Sequence, residues 1–248
     1  MYRPSAPIET ISSLVRLYLR SDLNLVADIG CGTGLSTFLW AGHADKVVGI
    51  EPNQEMVAIA KRNAAKAATK SVSFFEAESE CIPIGDCEVD LVTCSQSFHW
   101  MQPQKTLAEF ARILKTGGIV AVYDCDWPPS VGQSVERSFA RVMRLAIEVL
   151  EHNSALAKQW PKSKHLDNLQ GSGYFRFTRE LCFHEWIETD SQHIIGMIES
   201  QGVVQQAVKT ADTRFVATLE EETQKIRREM GDGSRTGLMS YRMRIAVK

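Results

Sequence analysis

The stretch Val26-Ala27-Asp28-Ile29-Gly30-Cys31-Gly32-Thr33-Gly34 decides the fold of this chain. An apolar run from Leu25 to Ile29 breaks into three glycines at alternate positions, and residues 35–40 then read as the start of a helix. A strand, a tight glycine turn and a helix bring backbone N–H groups close to a ligand, because side chains at the glycine positions would hold that ligand away. A glycine-rich turn with a purely structural role is the alternative.

The spacing of the glycines separates two kinds of cofactor site. A dinucleotide site has the pattern G-x-G-x-x-G, and here the third glycine comes one residue early, with Leu35 in the sixth place. With Asp28 two residues before Gly30, the segment instead resembles motif I of the class I S-adenosylmethionine-dependent methyltransferases, which is close to D-x-G-x-G-x-G. The resemblance implies that the cofactor S-adenosylmethionine is bound by Asp28, Gly30, Cys31, Gly32, Thr33 and Gly34.

Composition narrows the class of protein. The chain has 248 residues, of which 44% are hydrophobic and 23% charged, as expected for one α/β domain of good size. A net charge of −2 disfavours a nucleic-acid partner. Six cysteines without a C-x-x-C pair predict free thiols in a reducing compartment and no metal site. We see no signal peptide and no apolar run near 18 residues, which predicts a soluble, cytoplasmic protein with no membrane partner. The oligomeric state stays open.

Short apolar strands alternate with helical segments in the first half of the chain, which predicts a parallel sheet covered on both faces. The predicted strands are residues 25–29, 46–50, 72–75, 89–94 and 119–123, and the predicted helices are residues 8–19, 54–68 and 104–114, the last stopping at Gly117-Gly118.

The pattern changes after Trp127-Pro128-Pro129. A long amphipathic helix is predicted from Val135 to Leu150, and strict alternation over residues 239–247 predicts an antiparallel strand with one covered face. Between them the sequence predicts a short helix at residues 164–169, an alternating strand at 175–183 and helical structure over 191–229. The methyltransferase resemblance implies a Rossmann-like α/β fold, a seven-stranded and mostly parallel sheet with helices on both faces and the last strand antiparallel.

The expected organisation is a single methyltransferase domain over residues 1–248. Residues 21–126 are its predicted cofactor-binding core, and the helices that fall outside the alternating pattern, in 1–20 and 127–160, are a predicted cover over the active site. Residues 161–248 would supply the C-terminal part of the sheet, with a helical insertion at 187–233.

Glu51 ends the second strand, about twenty residues beyond Gly30. An acidic side chain there can accept hydrogen bonds from both ribose hydroxyls of an adenosine, and the turn at Pro52 is assigned to the same site. This feature alone does not separate S-adenosylmethionine from NAD.

The loop after the third strand, Glu78-Ser79-Glu80-Cys81-Ile82-Pro83-Ile84, resembles the G-D-A-x-x-L-P-F segment of many small-molecule methyltransferases. The resemblance implies that the Glu78 carboxylate accepts from the exocyclic amine of adenine and that the Ser79 backbone completes the base edge. The glycine and the aspartate of the family segment are both replaced here, and a solvated acidic loop is the alternative.

The segment Ser95-Gln96-Ser97-Phe98-His99-Trp100 follows the fourth strand. It resembles the S-x-x-F-H-W segment of a subgroup that contains the trans-aconitate methyltransferases and relatives of the quinone-biosynthesis C-methyltransferases. Ligands of open α/β sheets bind beyond the carboxyl ends of the strands, so Ser95 and Gln96 are expected near the sulfonium and the methionine moiety. His99 is a candidate base or substrate hydrogen-bond donor, and Trp100 a candidate substrate contact; for both, packing is the alternative.

The positions of several arginines suggest which kind of molecule accepts the methyl group. Arg137, Arg141 and Arg144 share one face of the long helix, and paired hydrogen bonds from such residues suit an anionic substrate. The N-terminal Tyr2-Arg3-Pro4 resembles the start of the trans-aconitate-type enzymes. We therefore predict substrate contacts at Tyr2, Arg3 and Arg141. The predicted substrate is a small acid that is methylated on oxygen, or a molecule with a carboxylate handle. A solvated helix face is the alternative.

Taken together, these segments predict in-line methyl transfer to a small molecule, with catalysis mainly by positioning. Two other classes stay open. One is a regulator that binds the cofactor without catalysing transfer, and the other is an NAD-dependent oxidoreductase, against which the early third glycine argues.

Overall fold

The seven-stranded sheet formed by the described residues has the strand order β3-β2-β1-β4-β5-β7-β6. The structure is a computed structural model that describes residues 5–67, 69–153 and 159–248. The strands are β1 Leu25–Ile29, β2 Lys46–Glu51, β3 Val72–Glu76, β4 Val89–Ser95, β5 Leu114–Ser130, β6 Phe177–Thr189 and β7 Arg235–Val247.

Helices connect the strands as the alternating pattern predicts. They are α1 Ile8–Arg16, α2 Leu35–Trp40, α3 Gln54–Ala67, α4 Pro103–Ile113, α5 Gln133–His152, α6 His165–Gly171, α7 Ser191–Glu199, α8 Gly202–Lys209 and α9 Thr213–Met230. Two 3₁₀ helices, Phe98–Trp100 and Lys162–Lys164, precede α4 and α6. The predicted helical stretch 191–229 is thus three helices, and the first helix ends at Arg16 rather than at residue 19.

The parallel half of the sheet aligns the ends of its strands. Ile29 of β1 is the register partner of Ile50 of β2, and Asp28 is the partner of Thr93 of β4. Ser95 of β4 is in turn the partner of Tyr123 of β5. The residues that follow these strands therefore emerge at one edge of the sheet, where ligands of open α/β sheets bind.

Strand β5 is longer than the sequence predicts, because Lys248, the residue after β7, forms hydrogen bonds with its start. Gly117 donates to the Lys248 carbonyl at 3.0 Å, and Lys248 donates back to the Gly118 carbonyl at 3.0 Å, which is antiparallel pairing. The two glycines that look like a helix stop therefore lie inside a strand. The predicted antiparallel last strand is confirmed.

The chain divides into two compact units. The first is described over residues 125–153 and 183–241, and its core is built where α5 packs against α8 and α9, around the fully buried Phe139 and Phe215. The second is described over residues 5–67, 69–124, 159–182 and 242–248 and contains the parallel strands; its core includes Phe98 and Phe110. Strands β5, β6 and β7 contribute residues to both units.

None of the helices in the described part of the chain combines the length and the apolar character that crossing a bilayer requires.

Candidate functional site

The glycine turn after β1 has a left-handed backbone at three alternate positions. The φ angles of Gly30, Gly32 and Gly34 are +70°, +55° and +91°, values that residues with a Cβ adopt only at a cost. Gly30 and Cys31 both donate to the Ile50 carbonyl, at 2.8 and 3.1 Å, which fastens the turn to the end of β2. Gly34 then begins α2.

The three glycines differ in what surrounds them. A Cβ on Gly30 would lie 2.5 Å from the Cβ of Ser97, and one on Gly34 would lie 2.7 Å from the ring of Phe74. A Cβ on Gly32 would meet nothing nearer than the Met56 sulfur at 3.9 Å. Gly30 and Gly34 are therefore required by packing, whereas the space beside Gly32 is open to a ligand.

Glu51 holds the turn from the end of β2. Its Oε2 accepts the Gly32 N–H at 3.0 Å and its Oε1 accepts the Asn53 N–H at 3.0 Å. The side chain is mostly buried, at 9% exposure. Each carboxylate oxygen keeps a further lone pair, so the same group can accept hydrogen bonds from two hydroxyls of a ligand.

Asp28 joins three elements beneath the turn. Its carboxylate accepts hydrogen bonds from Thr37 of α2 at 2.7 Å and from Thr93 of β4 at 3.1 Å. Burial raises the pKa of Asp28 to about 6, against the opposing effect of the two threonine hydroxyls. Asp28 is fully buried, so its contacts fix the turn from below.

The segment after β4 lies against the same turn. Ser97 is buried, and its hydroxyl donates to the Ile29 carbonyl at 2.6 Å. Gln96 has a φ of +53° and donates its N–H to the Tyr123 carbonyl at 2.9 Å. Ser95, the last residue of β4, is half-buried. The predicted residues Ser95 and Gln96 are thus at the carboxyl edge, and Ser97 is a contact that the sequence reasoning missed.

His99 and Trp100 occupy the 3₁₀ helix that follows. His99 is 8% exposed and its backbone carbonyl accepts the Trp160 N–H at 2.7 Å. Burial, helped by the Lys162 ammonium and opposed by Asp124, lowers the pKa of His99 to about 4, so the ring is neutral at physiological pH. Trp100 is half exposed beside it, with the ring centroids 5.1 Å apart.

The loop after β3 supplies the remaining predicted cofactor residues. Glu78 is exposed, and its carbonyl accepts the Cys81 N–H at 3.1 Å. Ser79 is buried with its hydroxyl 2.8 Å from that of Thr106. Pro52 is exposed between Glu51 and Asn53.

The predicted substrate contacts at Tyr2, Arg3 and Arg141 stay predictions. Tyr2 and Arg3 lie outside the described residues. Arg141 belongs to the first unit, where its guanidinium contacts the Glu222 carboxylate at 2.6 Å and lies 3.8 Å from Glu221. Its role in substrate binding stays a prediction, and the structure gives it a partner within the chain.

Three further polar residues at this edge were missed by the sequence reasoning. Asp124 follows Tyr123 near the middle of the long strand β5. Lys162, in the 3₁₀ helix before α6, and His165, the first residue of α6, lie near it. Asp124 directly follows the predicted strand 119–123, so the rule that singles out Glu51, an acid at the end of a predicted strand, applies to Asp124 as well. No local pattern in the sequence connects His99 with residues more than sixty positions later, so Lys162 and His165 could not be identified as site residues from the sequence.

The residues present fit S-adenosylmethionine. The open backbone at Gly32 admits close approach, and the Glu51 carboxylate beside it has free acceptor capacity for ribose hydroxyls. The groups are also mutually fixed, since Glu51 accepts from the turn itself.

Comparison with known proteins agrees with this geometry. A family model described as a methyltransferase domain matches residues 27–122. The candidate S-adenosylmethionine-dependent methyltransferase CRG1 of Saccharomyces cerevisiae is 29% identical over 49% of this chain and 42% of its own length. The ubiquinone/menaquinone biosynthesis C-methyltransferase UbiE of Campylobacter jejuni is 34% identical over 45% of this chain and 48% of its own length. The chain thus spans about half the length of these curated relatives.

A solved structure from Anaeromyxobacter dehalogenans, named for a candidate type II methyltransferase, matches the whole fold. Its TM-score is 0.72 at 18% identity, over 100% of this chain and 97% of that one. Residues 27–122 are thus similar to methyltransferase domains, and the fold is the Rossmann-like fold that the sequence predicts. S-adenosylmethionine is the cofactor of the class I methyltransferases that this chain resembles.

Proposed function

We propose that this protein transfers a methyl group from S-adenosylmethionine to a small molecule. The observation that carries the proposal is the open turn at Gly32, fastened to the Glu51 carboxylate at the carboxyl edge of the sheet. In this proposal Glu51 accepts the ribose hydroxyls, the Gly32 backbone faces the cofactor, and the Glu78 carboxylate accepts from the adenine amine.

The chemical demands on the chain are modest. The bound cofactor supplies an electrophilic methyl group on a sulfonium, so the activation of the methyl group comes from the cofactor and not from the protein. The protein must hold the acceptor in line with that methyl group and keep water away. Ser95 and Gln96, at the end of β4, are the residues we propose beside the reacting centre.

For the acceptor we propose a small molecule with a carboxylate handle, as the arginine pattern predicts. Arg141 contacts the Glu222 carboxylate in the described residues, so an acceptor carboxylate at Arg141 would share its guanidinium with Glu222. A screen of small organic acids against neutral phenols and thiols, following formation of S-adenosylhomocysteine, tests the acceptor class. Turnover confined to acceptors without a carboxylate would overturn it.

The cofactor site is tested by calorimetry with S-adenosylhomocysteine. Glu51→Ala is expected to weaken binding by about 1–3 kcal/mol, the cost of losing hydrogen bonds to a charged group. Glu76→Ala is the matched control, because Glu76 is the register partner of Glu51 on the neighbouring strand β3 and is exposed. Equal affinities of the two variants would remove Glu51 from the site.

The same measurements separate the other classes. A regulator would bind S-adenosylhomocysteine with Glu51-dependent affinity yet methylate no acceptor in the panel. An NAD-dependent oxidoreductase would show its Glu51-dependent affinity for NAD instead, which a tryptophan-fluorescence titration with both cofactors measures.

A further inference from the structure

A small cavity lies within the second unit, away from the glycine turn. Its volume is about 230 Å³, and its lining includes Tyr18, Arg20, Ser21, Thr116 and Arg176. Ser21 precedes β1, and Thr116 precedes Ile119, where the regular pairing of β5 with β4 begins. The cavity is therefore at the amino edge of the parallel strands, opposite the carboxyl edge that holds the candidate cofactor site.

The start of β5 bulges at this cavity. Leu114 and Ile119 of β5 pair with Val89 and Leu91 of β4, so the stretch of β5 between the two pairs is longer than the stretch of β4. The extra residues of β5 leave the regular ladder, and Thr116 among them is exposed. Bulges are over-represented next to active sites, where they re-aim side chains, so an irregular strand start that lines a cavity favours a binding role.

Two contacts bring the segments that carry the arginines to the same place. The ring of Tyr18, two residues before Arg20, stacks on the ring of Phe177, the residue after Arg176, with 5.5 Å between the centroids. The Arg176 N–H donates to the Val247 carbonyl at 2.9 Å, which fixes this segment to the end of β7. The segment after α1 and the start of β6 therefore meet at the cavity, although they are far apart in the sequence.

The two guanidinium groups of the lining have no counter-ion within the chain. Among the residues that the structure describes, Arg20 and Arg176 form no ion pair and no side-chain hydrogen bond, and the lining contains no acid. Like charges that share a small cavity repel each other. The cavity therefore favours an anion that bridges both arginines.

The neighbouring charges leave this positive excess in place. The charged residues next to the lining in the sequence are Asp22 and Lys115. The Lys115 ammonium is 2.7 Å from the Asp90 carboxylate, so this pair is neutral. Asp22 is exposed, so water and salt screen its charge. The Lys248 ammonium, which donates to the Leu114 carbonyl at 2.7 Å, adds a further positive charge beside the start of β5.

We propose that this cavity binds the phosphate group of a small, soluble phosphate monoester. Such a group carries a charge of about −1.5 to −2 at neutral pH, which matches two guanidinium groups, and it offers three strong acceptor oxygens. Arginine forks match phosphate geometry, and the hydroxyls of Ser21 and Thr116 are further donors. The cavity is smaller than the roughly 300–1,000 Å³ that drug-sized ligands occupy, so the rest of the molecule extends out of it. The site is separate from the proposed methyl transfer and does not depend on it.

The test is an NMR titration of the whole protein with labelled tyrosine rings, with phenyl phosphate as the probe and benzoate as its carboxylate analogue. Phenyl phosphate is expected to shift the Tyr18 signal, which Tyr18→Phe assigns. Because its second charge meets the second arginine, it is expected to bind there at least about 10-fold more tightly than benzoate. Inorganic phosphate should displace it. Tyr123 is buried at the carboxyl edge, so its signal is expected to stay unchanged.

Variants separate binding in the cavity from the effect of net charge. Arg20→Gln and Arg176→Gln are each expected to weaken phenyl phosphate binding at least about 10-fold, because each removes hydrogen bonds between charged groups. Arg62→Gln, at an exposed arginine of α3 outside the lining, makes the same change of charge and should leave the affinity unchanged. All three side chains are exposed, so the unfolding midpoints of the variants are expected to match that of the wild type.

An unmoved Tyr18 signal, equal affinities of Arg20→Gln and Arg62→Gln, or benzoate binding as tight as that of phenyl phosphate would each overturn the proposal. A lipid headgroup is the other source of such a phosphate, and Leu17 and Phe177 are exposed nearby. Vesicles of phosphatidylcholine with and without phosphatidic acid distinguish the two sources. Binding that requires phosphatidic acid, with no Tyr18 shift by phenyl phosphate, would overturn the soluble ligand in favour of a membrane surface.

Discussion

Gly32 allows the ligand role of the turn to be measured apart from its structural role. Gly32→Ala has room for its methyl group in the protein and a backbone cost of about 1–2 kcal/mol for the left-handed conformation. We expect a small loss in the free energy of unfolding and a loss of at least 10-fold in S-adenosylhomocysteine affinity, because the new methyl group occupies the space that the ligand would use. Chemical denaturation and calorimetry measure the two effects.

Gly117→Ala is the matched control for Gly32→Ala. Gly117 has a φ of +82° at the start of β5, so the backbone cost is similar, but we expect cofactor affinity to be unchanged. Gly30→Ala should be more destabilising than either, because its Cβ would lie 2.5 Å from that of Ser97. If Gly32→Ala and Gly117→Ala bound S-adenosylhomocysteine equally well, Gly32 would not face the ligand.

Asp28 should make stability depend on pH. Its pKa of about 6 in the folded protein is above the ordinary value of 3.8, so the folded state holds this proton more tightly than the unfolded state. The wild type therefore loses about 3 kcal/mol from this residue as pH rises from about 4 to 6, and the loss is constant above that range. Asp28→Asn has no such titration. The stability of the variant relative to wild type, measured by urea unfolding, should rise through this window; a difference independent of pH would contradict the assignment.

At the scale of elements, α5 and α9 are joined by a buried carboxylate. Glu222 of α9 is 2% exposed and accepts from Ser138 and Arg141 of α5, each at 2.6 Å. Lys225, one turn along α9, lies 3.0 Å from the same carboxylate. Arg141 therefore stabilises the pairing of the two helices.

Arg141→Ala should lower the free energy of unfolding by about 1–3 kcal/mol, because it removes a hydrogen bond to a mostly buried charged group. Arg144→Ala, on the same helix and exposed, should change it by less than about 0.5 kcal/mol. Urea unfolding measures both. Equal stabilities, together with a raised KM for an acidic acceptor in Arg141→Ala alone, would favour the substrate role instead.

The strands of the parallel half were predictable because each is a short apolar run near helices of clear periodicity, and the central strands β1 and β4 are buried on both faces. β7 was predictable from its alternation. The length of β5 was not, since Gly117, Gly118 and two prolines argue locally against a strand. The pairing of β5 with β7 depends on residues more than a hundred positions away. Gly237 of β7 lies close to β5: a Cβ at this position would be only 3.3 Å from the Ser130 carbonyl oxygen.

At the scale of the whole molecule, the reactivity of the six cysteines measures how well the two units are packed. Cys81, Cys87 and Cys182 are exposed, whereas Cys31, Cys94 and Cys125 are buried. Burial raises the pKa of the Cys31 and Cys94 thiols well above the ordinary value, so the reactive thiolate is scarce in the folded protein. Titration with a thiol reagent should show three fast groups in the native protein and six after unfolding. Six fast groups without denaturant would contradict the packing described here.

Some residues of the candidate site could be predicted from the sequence and others could not, and the difference between them has a physical cause. Residues that follow a strand within one βα unit, such as the glycine turn and Glu51, are identified by local spacing. Asp124, Lys162 and His165 meet only through the register of β5 and the position of α6. Such contacts depend on tertiary structure, which local patterns do not encode.

Glu51 has a consequence for the entropy of binding. Its carboxylate is held by two backbone N–H groups before any ligand arrives, so folding has already restricted its rotamers. Immobilising a free side chain of this kind opposes association by about 0.5–1.5 kcal/mol. A ligand that meets Glu51 encounters a group that is already ordered, and its hydrogen bonds contribute to affinity without that loss of conformational freedom.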